Sequence, residues 1–232
     1  MKLTIVRHGQ SVFNQSNTFT GWEDADLTEQ GIAEAIEAGK RIQRHGLHFD
    51  IAFTSVLTRA IKTLYYILEE TNQLWIPVEK SWRLNERHYG ALQRLNKAET
   101  AEKYGQEQVH QWRRSFDVMP PLLKDDDKRQ AKKERRYQLL DQKAIPSGEN
   151  LKMTLERVTP YWMDTIAPQI KQGKHVIIAA HGNSIRALVK HLENLSDEDI
   201  VNVEIPTGVP LIYELNEKLE PTNKYFLENE QG

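Results

Sequence analysis

Two histidines and two arginines hold the chemistry most legible in this chain. Arg7-His8-Gly9 follows the run Lys2-Leu3-Thr4-Ile5-Val6, and His181-Gly182 follows Val176-Ile177-Ile178-Ala179-Ala180. Arg59 falls in the first turn of the helical pattern after Ile51-Ala52-Phe53-Thr54-Ser55. All three runs have the length and apolar content of strands. In an open α/β sheet, ligands bind beyond the carboxyl ends of the strands. A neutral imidazole placed there can attack phosphorus, and a guanidinium fork can hold phosphoryl oxygens. Gly9, lacking a Cβ, predicts close approach of the backbone to such a group. His45-Gly46 is an internal control, because it closes the helical stretch from Thr28, where a glycine C-cap accounts for it. The dipeptide alone is weak; its placement after strands carries the argument.

Helices must hold these strand ends in place. Thr28 predicts an N-cap, with Glu29 in the first turn and Ile32, Ala35, Ile36, Ala38 and Ile42 behind it. From Thr58 the pattern Ala60, Ile61, Leu64, Ile67, Leu68 predicts a second core-facing helix, with Arg59 at its anion-favouring start. Trp75-Ile76-Pro77-Val78 reads as a short edge strand. Ser147-Gly148-Glu149-Asn150 opens a long helix in which Pro160 predicts a kink or break. Asn183-Ser184 starts another, through Ile185-Arg186-Ala187-Leu188-Val189. Ile205-Pro206-Thr207-Gly208 reads as a turn, with strands over 209–215 and 223–227.

At 232 residues the chain suits one α/β domain, 1–232, with a single large core. A net charge of −2 gives no basic field for nucleic acid. No apolar run approaches the ~20 residues of a membrane span, and Met1-Lys2-Leu3 opens on a strand rather than a signal peptide, so a cytoplasmic location is expected. Cysteine is absent, which excludes disulfides and thiolate metal sites. The His and carboxylate spacing predicts no metal site, and neither a P-loop nor a dinucleotide fingerprint is present.

Other polar residues are ambiguous by themselves. The stretch 12–21 reads as a loop over the strand ends, and Ser11, Asn14, Thr20 and Gly21 have the composition of ordinary turns. Glu86 lies in Arg83-Leu84-Asn85-Glu86-Arg87-His88-Tyr89-Gly90, as either an ion-pair partner or a proton-exchanging acid. From about 90 to 145 the chain is charged and poor in strand signals, and contains Lys97 and Arg113-Arg114. Lys124 to Arg136, with seven basic and four acidic residues, reads as a mobile lid or exposed helix.

Longer stretches carry a resemblance: RHGQSVFNQSNTFTGWEDADLTEQG, TSVLTRAIKTL, EKSWRLNERHYGAL, SGENLKMTLERVTPYW and AAHGNSIRALVKHLE. Together they resemble the 2,3-bisphosphoglycerate-dependent phosphoglycerate mutases of the histidine phosphatase superfamily, over nearly the whole chain. The resemblance implies a three-layer α/β/α fold with a mostly parallel central sheet and a lid insertion at 90–145. It implies His8 as nucleophile, Arg7, Arg59 and His181 on the phosphoryl oxygens, and Glu86 exchanging a proton with the substrate hydroxyl. Ser11, Asn14, Thr20, Gly21, Tyr89, Lys97, Arg113, Arg114, Gly182 and Asn183 would bind substrate. The reaction implied is exchange of 3-phosphoglycerate and 2-phosphoglycerate, primed by 2,3-bisphosphoglycerate without a metal, in a homodimer or higher oligomer. A bisphosphoglycerate synthase or phosphatase is the alternative within the same chemistry, and a non-catalytic binding protein the alternative outside it. Ser11 leans toward mutase, since related synthases typically carry a smaller residue there. Arg94 departs from the family, which commonly has glycine, and so predicts either an added phosphate contact or a strained loop. The chain ends soon after Leu227, where many relatives continue into a covering tail, so a leakier site is expected.

Overall fold

A computed structural model describes residues 1–227; the expectation about the chain's end falls outside them. Six strands form one sheet in the order β3-β2-β4-β1-β5-β6. They are β1 (Lys2–Arg7), β2 (Ile51–Thr54), β3 (Val78–Lys80), β4 (Val176–Ala180), β5 (Leu211–Leu215) and β6 (Pro221–Phe226). The first four are mutually parallel, β5 runs antiparallel to β1, and β6 runs antiparallel to β5. Alternation along the strands sorts the core into two faces. Leu3, Ile5, Phe53 and Ile178 pack on one side with α6 (Leu151–Tyr161), α7 (Ala167–Lys171) and α8 (Gly182–Glu193). Val6, Ala52, Ile177 and Ala179 pack on the other with α2 (Glu29–Arg44) and α3 (Thr58–Glu70). The result is the expected three-layer α/β/α arrangement.

Local chemistry sets the element ends. Thr28 Oγ1 accepts from the Gly31 N–H, capping α2, and Gly46 beyond its other end has φ +62°. The edge strand expected over 75–78 forms instead over Val78–Lys80: Trp75 and Ile76 lie in a turn and a bend, and Pro77 lacks an N–H, although its carbonyl still accepts from Ala52 N. Pro160 sits in the last turn of α6, and the chain passes into a π-helical turn, Trp162–Ile166, before α7.

Two further expectations change. The 12–21 stretch is not all loop: a single turn, α1 (Val12–Gln15), forms because Ser11 and Asn14 cap each other reciprocally. Lys124 to Arg136 is not an exposed helix, since it lacks an apolar stripe to pack. It follows α4 (Lys97–Tyr104) and α5 (Gln106–Arg114) as irregular chain with two 3-10 turns, Ala131–Lys133 and Arg135–Tyr137. Ala131 and Tyr137 are buried against Trp22, whose ring lies 5.0 Å from that of Tyr137. Arg129 and Arg136 tie it down further, to the Gln93 carbonyl at 2.7 Å and to Asp24 at 2.9 Å.

Candidate active site

Register brings the two histidines together. β1 and β4 are parallel neighbours with Arg7 opposite Ala180, and His8 N donates to the Ala180 carbonyl at 3.0 Å. The next residue on each chain is therefore His8 and His181, whose rings lie 5.0 Å apart. β2 flanks β4 on its other side, so Ser55 just beyond it reaches His181 Nε2 at 2.7 Å. The turn from β2 into α3 then delivers Arg59, whose Nε donates to His8 Nε2 at 3.3 Å.

His8 Nδ1 lies 2.7 Å from the Gly9 carbonyl, which can only accept, so the proton belongs on Nδ1 and the lone pair on Nε2. Burial, then the charges of Arg59 and Arg7, hold the His8 pKa well below its usual value. Burial and the neighbouring Arg59 do the same to His181. Arg59 is itself lowered to about 10 by burial, and stays cationic at neutral pH. The carbonyls of Gly21 and Glu23 take its two terminal nitrogens, each at 2.9 Å. Among the described residues, Arg7 Nε and His181 Nδ1 are buried without a partner. An orphaned guanidinium N–H and an unpartnered ring nitrogen beside a neutral imidazole fit an incoming anion.

A cavity of about 480 Å³ adjoins this cluster, lined by Arg7, Lys97, Arg113, Arg114 and Arg186 against the carboxylates of Glu86 and Glu204. Such a cationic excess suits a ligand carrying several negative charges. Burial, with repulsion from Arg113 and Arg7, lowers the Lys97 pKa. Glu86 makes no ion pair with its neighbouring arginines among the described residues. Its Oε1 accepts from the backbone N–H groups of Arg87 at 2.8 Å and Asn183 at 2.9 Å. Arg87 turns away onto the Tyr89 ring and the Arg113 carbonyl.

Of the residues expected to bind substrate, Asn14, Thr20, Gly21, Tyr89, Lys97, Arg113, Arg114, Gly182 and Asn183 line the cavity together with Arg7 and Glu86. His8, Arg59, His181 and Ser11 do not; the 21–24 loop lies over Arg59, and the Ser11 hydroxyl accepts from Asn14 N in capping α1. Gly9 is needed for a different reason from the one expected. A Cβ there would sit 2.1 Å from the Gly31 carbonyl oxygen of α2, while its N–H is bound to Thr63 Oγ1. Arg94 has φ +71°, yet its guanidinium points to Glu23 at 2.7 Å, away from the cavity. Arg186, Glu204, Ile205 and Pro206 complete the lining without having been singled out. Only Arg186 left a signal, as a lone cation in the apolar Ile185–Val189 face. Among the described residues no cluster of three or more His, Asp or Glu is placed to hold a metal ion.

A buried neutral imidazole between guanidinium groups, at the carboxyl ends of adjacent parallel strands, can accept and return a phosphoryl group. The family described as the histidine phosphatase superfamily (branch 1) matches residues 3–124 and 122–218. The chain is 62% identical over 223 residues to 2,3-bisphosphoglycerate-dependent phosphoglycerate mutase 2 of Lactiplantibacillus plantarum, covering 96% of this chain and 97% of that one. It is 61% identical to the 2,3-bisphosphoglycerate-dependent phosphoglycerate mutase of Enterococcus faecalis, over 97% and 99% of the two chains. Solved structures share the fold at lower identity. A mycobacterial glucosyl-3-phosphoglycerate phosphatase superposes with TM-score 0.72 at 20% identity, covering 97% and 96% of the chains. A phosphoglycerate mutase from Bacillus anthracis gives 0.63 at 19%, covering 92% and 88%. The chain belongs to the histidine phosphatase superfamily and, within it, to the 2,3-bisphosphoglycerate-dependent phosphoglycerate mutase family.

Proposed function

We propose that the protein interconverts 3-phosphoglycerate and 2-phosphoglycerate through a phosphorylated His8, primed by 2,3-bisphosphoglycerate. The observation that carries this reading beyond kinship is the His8 tautomer: Nδ1 is bound to the Gly9 carbonyl, and the Nε2 lone pair faces Arg59, able to attack once that contact is exchanged. In the transfer, the donor's P–O bond breaks as the P–Nε2 bond forms, and the departing alkoxide takes a proton from Glu86. An arriving phosphoryl group takes the place of the Arg59 contact on Nε2. The orphaned Arg7 Nε and His181 Nδ1 hold its oxygens as charge redistributes in a loose transition state. Ser55 can donate to His181 Nε2, which leaves the proton on Nδ1, facing the anion. Lys97, Arg113 and Arg114 take the carboxylate and second phosphate. Those cations supply the neutralisation, so the reading needs no divalent ion, and activity should persist in EDTA.

The 90–145 segment then serves as the cover that keeps water from phosphohistidine between half-reactions. The residues fit a bisphosphorylated, carboxylated ligand on charge: five cavity-lining cations face two carboxylates. The same reading makes the enzyme cytoplasmic and a homo-oligomer; Trp75, 78% exposed beside the edge strand β3, suits pairing. The test is a coupled assay of 3-phosphoglycerate conversion with and without catalytic 2,3-bisphosphoglycerate, run alongside phosphate release. Primer-dependent conversion exceeding phosphate release supports the reading; phosphate release alone makes the protein a phosphatase and overturns it.

A further inference from the structure

One buried ion pair lies off the cavity lining, yet every backbone group it touches belongs to the segment that presents Glu86. Arg157 on α6 binds Glu149 in a fork, Nε to Oε1 at 2.6 Å and Nη2 to Oε2 at 2.9 Å, with both side chains more than nine-tenths buried. Arg157 Nη1 also donates to the Arg83 carbonyl at 2.7 Å, and Nη2 to those of Asn85 at 3.0 Å and Glu86 at 2.8 Å. Glu149 Oε2 accepts from His88 N at 2.8 Å, and Glu149 N donates to the His88 carbonyl at 2.7 Å. Trp22 Nε1 adds a 2.6 Å bond to the Glu86 carbonyl. The Glu86 side chain is fixed at its other end, since two backbone N–H groups occupy Oε1. Its Oε2 is left beside Gly182, a lining residue, 3.7 Å from where a Cβ on that glycine would stand.

Stability does not explain such a pair, because a buried salt bridge is often no better than well-packed apolar side chains. We propose that Glu149 and Arg157 are positioning residues that aim Glu86 Oε2 at the substrate hydroxyl, a proposal that rests on Glu86 being the proton-exchanging group. Misplacing a reacting group by about 1 Å can cost on the order of 100-fold in rate.

The test measures single-turnover phosphorylation of His8 from two donors. Transfer from 2,3-bisphosphoglycerate expels an alkoxide that needs a proton, whereas transfer from p-nitrophenyl phosphate expels a phenolate that does not. Arg157→Lys keeps the charge but loses the fork, and Glu149→Gln keeps the shape but loses the charge. Each should slow the bisphosphoglycerate arm 10- to 100-fold and the aryl arm less than threefold. Should either misfold, the double variant Glu149→Leu with Arg157→Met, which strands no buried charge, carries the same comparison. Equal losses in both arms would reveal a merely structural role, and no loss in either would show that the pair aims nothing; both results overturn the proposal. Glu86→Gln separates the two levels. A selective loss there without one in the pair variants refutes the positioning claim alone, and a non-selective Glu86→Gln refutes the reading of Glu86 and the proposal with it.

Discussion

Lowering the pH should destabilise this protein well before its carboxylates titrate, because three histidines are buried uncharged. His88 is the measurable one: burial holds its pKa at about 4, against 6.5 for the free side chain. As pH falls through the unfolded value, the unfolded chain takes up the proton first. Stability is therefore intact above ~6.5, is lost as pH drops below it, and levels off below about 4. Between about pH 7.5 and pH 5 the linkage integral for His88 alone is about 2 kcal/mol. His8 and His181 are depressed in the same direction, by burial first and then by neighbouring arginines, so the total drop should exceed that figure. The assay is urea unfolding at intervals from pH 7.5 to 5. His88→Asn offers an oxygen in place of the Nδ1 that accepts from Gly90 N at 2.9 Å. It sacrifices packing on Trp22, whose ring centroid is 5.4 Å away, and so lowers stability at pH 7.5. Its pH-dependent drop should nonetheless be smaller than that of the parent by about 2 kcal/mol. Parallel profiles for parent and variant would refute the reasoning.

Three further outcomes follow from single contacts. Gly9→Ala puts a methyl 2.1 Å from the Gly31 carbonyl oxygen and should cost about 3 kcal/mol or prevent folding. Gly46→Ala meets no atom within 4 Å and pays only for its φ of +62°, about 1 kcal/mol; thermal melts compare the two. Arg94→Ala and Arg94→Gly lose the same exposed Glu23 pair, but only the glycine relieves φ +71°. Arg94→Gly should be the more stable by about 1 kcal/mol, with KM for 3-phosphoglycerate unchanged within twofold, whereas equal melts would rule out backbone strain. Ser55→Ala strips the 2.7 Å partner from His181 Nε2, so kcat should fall about tenfold with KM little changed. Full activity would remove Ser55 from the account.

The strand ends were readable because strand length, apolar content and the switch to a helical period are local signals, and the sheet's order then joins His8, Arg59 and His181. Gly9 was misread because its steric partner, Gly31, arrives from another element and leaves no trace near residue 9. At 124–136 the charge correctly signals exposure but not a helix: most of these side chains are exposed, while Ala131 and the following Tyr137 anchor the segment as irregular chain. Buried cations are the hardest to see in a sequence. Arg157 and Arg186 have the side chain of a surface residue, and only tertiary packing shows Arg157 gripping Glu149 and Arg186 donating to the Ile200 carbonyl. Glu86 was legible as either ion pair or acid; its two backbone N–H partners decide against the pair.

The central claim is that His8 carries the phosphoryl group. Incubation with radiolabelled 2,3-bisphosphoglycerate, followed by peptide mapping, tests it most directly. An acid-labile, base-stable label on the peptide containing His8, absent from His8→Asn, is the predicted result. A label on His181, or a His8→Ala protein with full mutase activity, would contradict it.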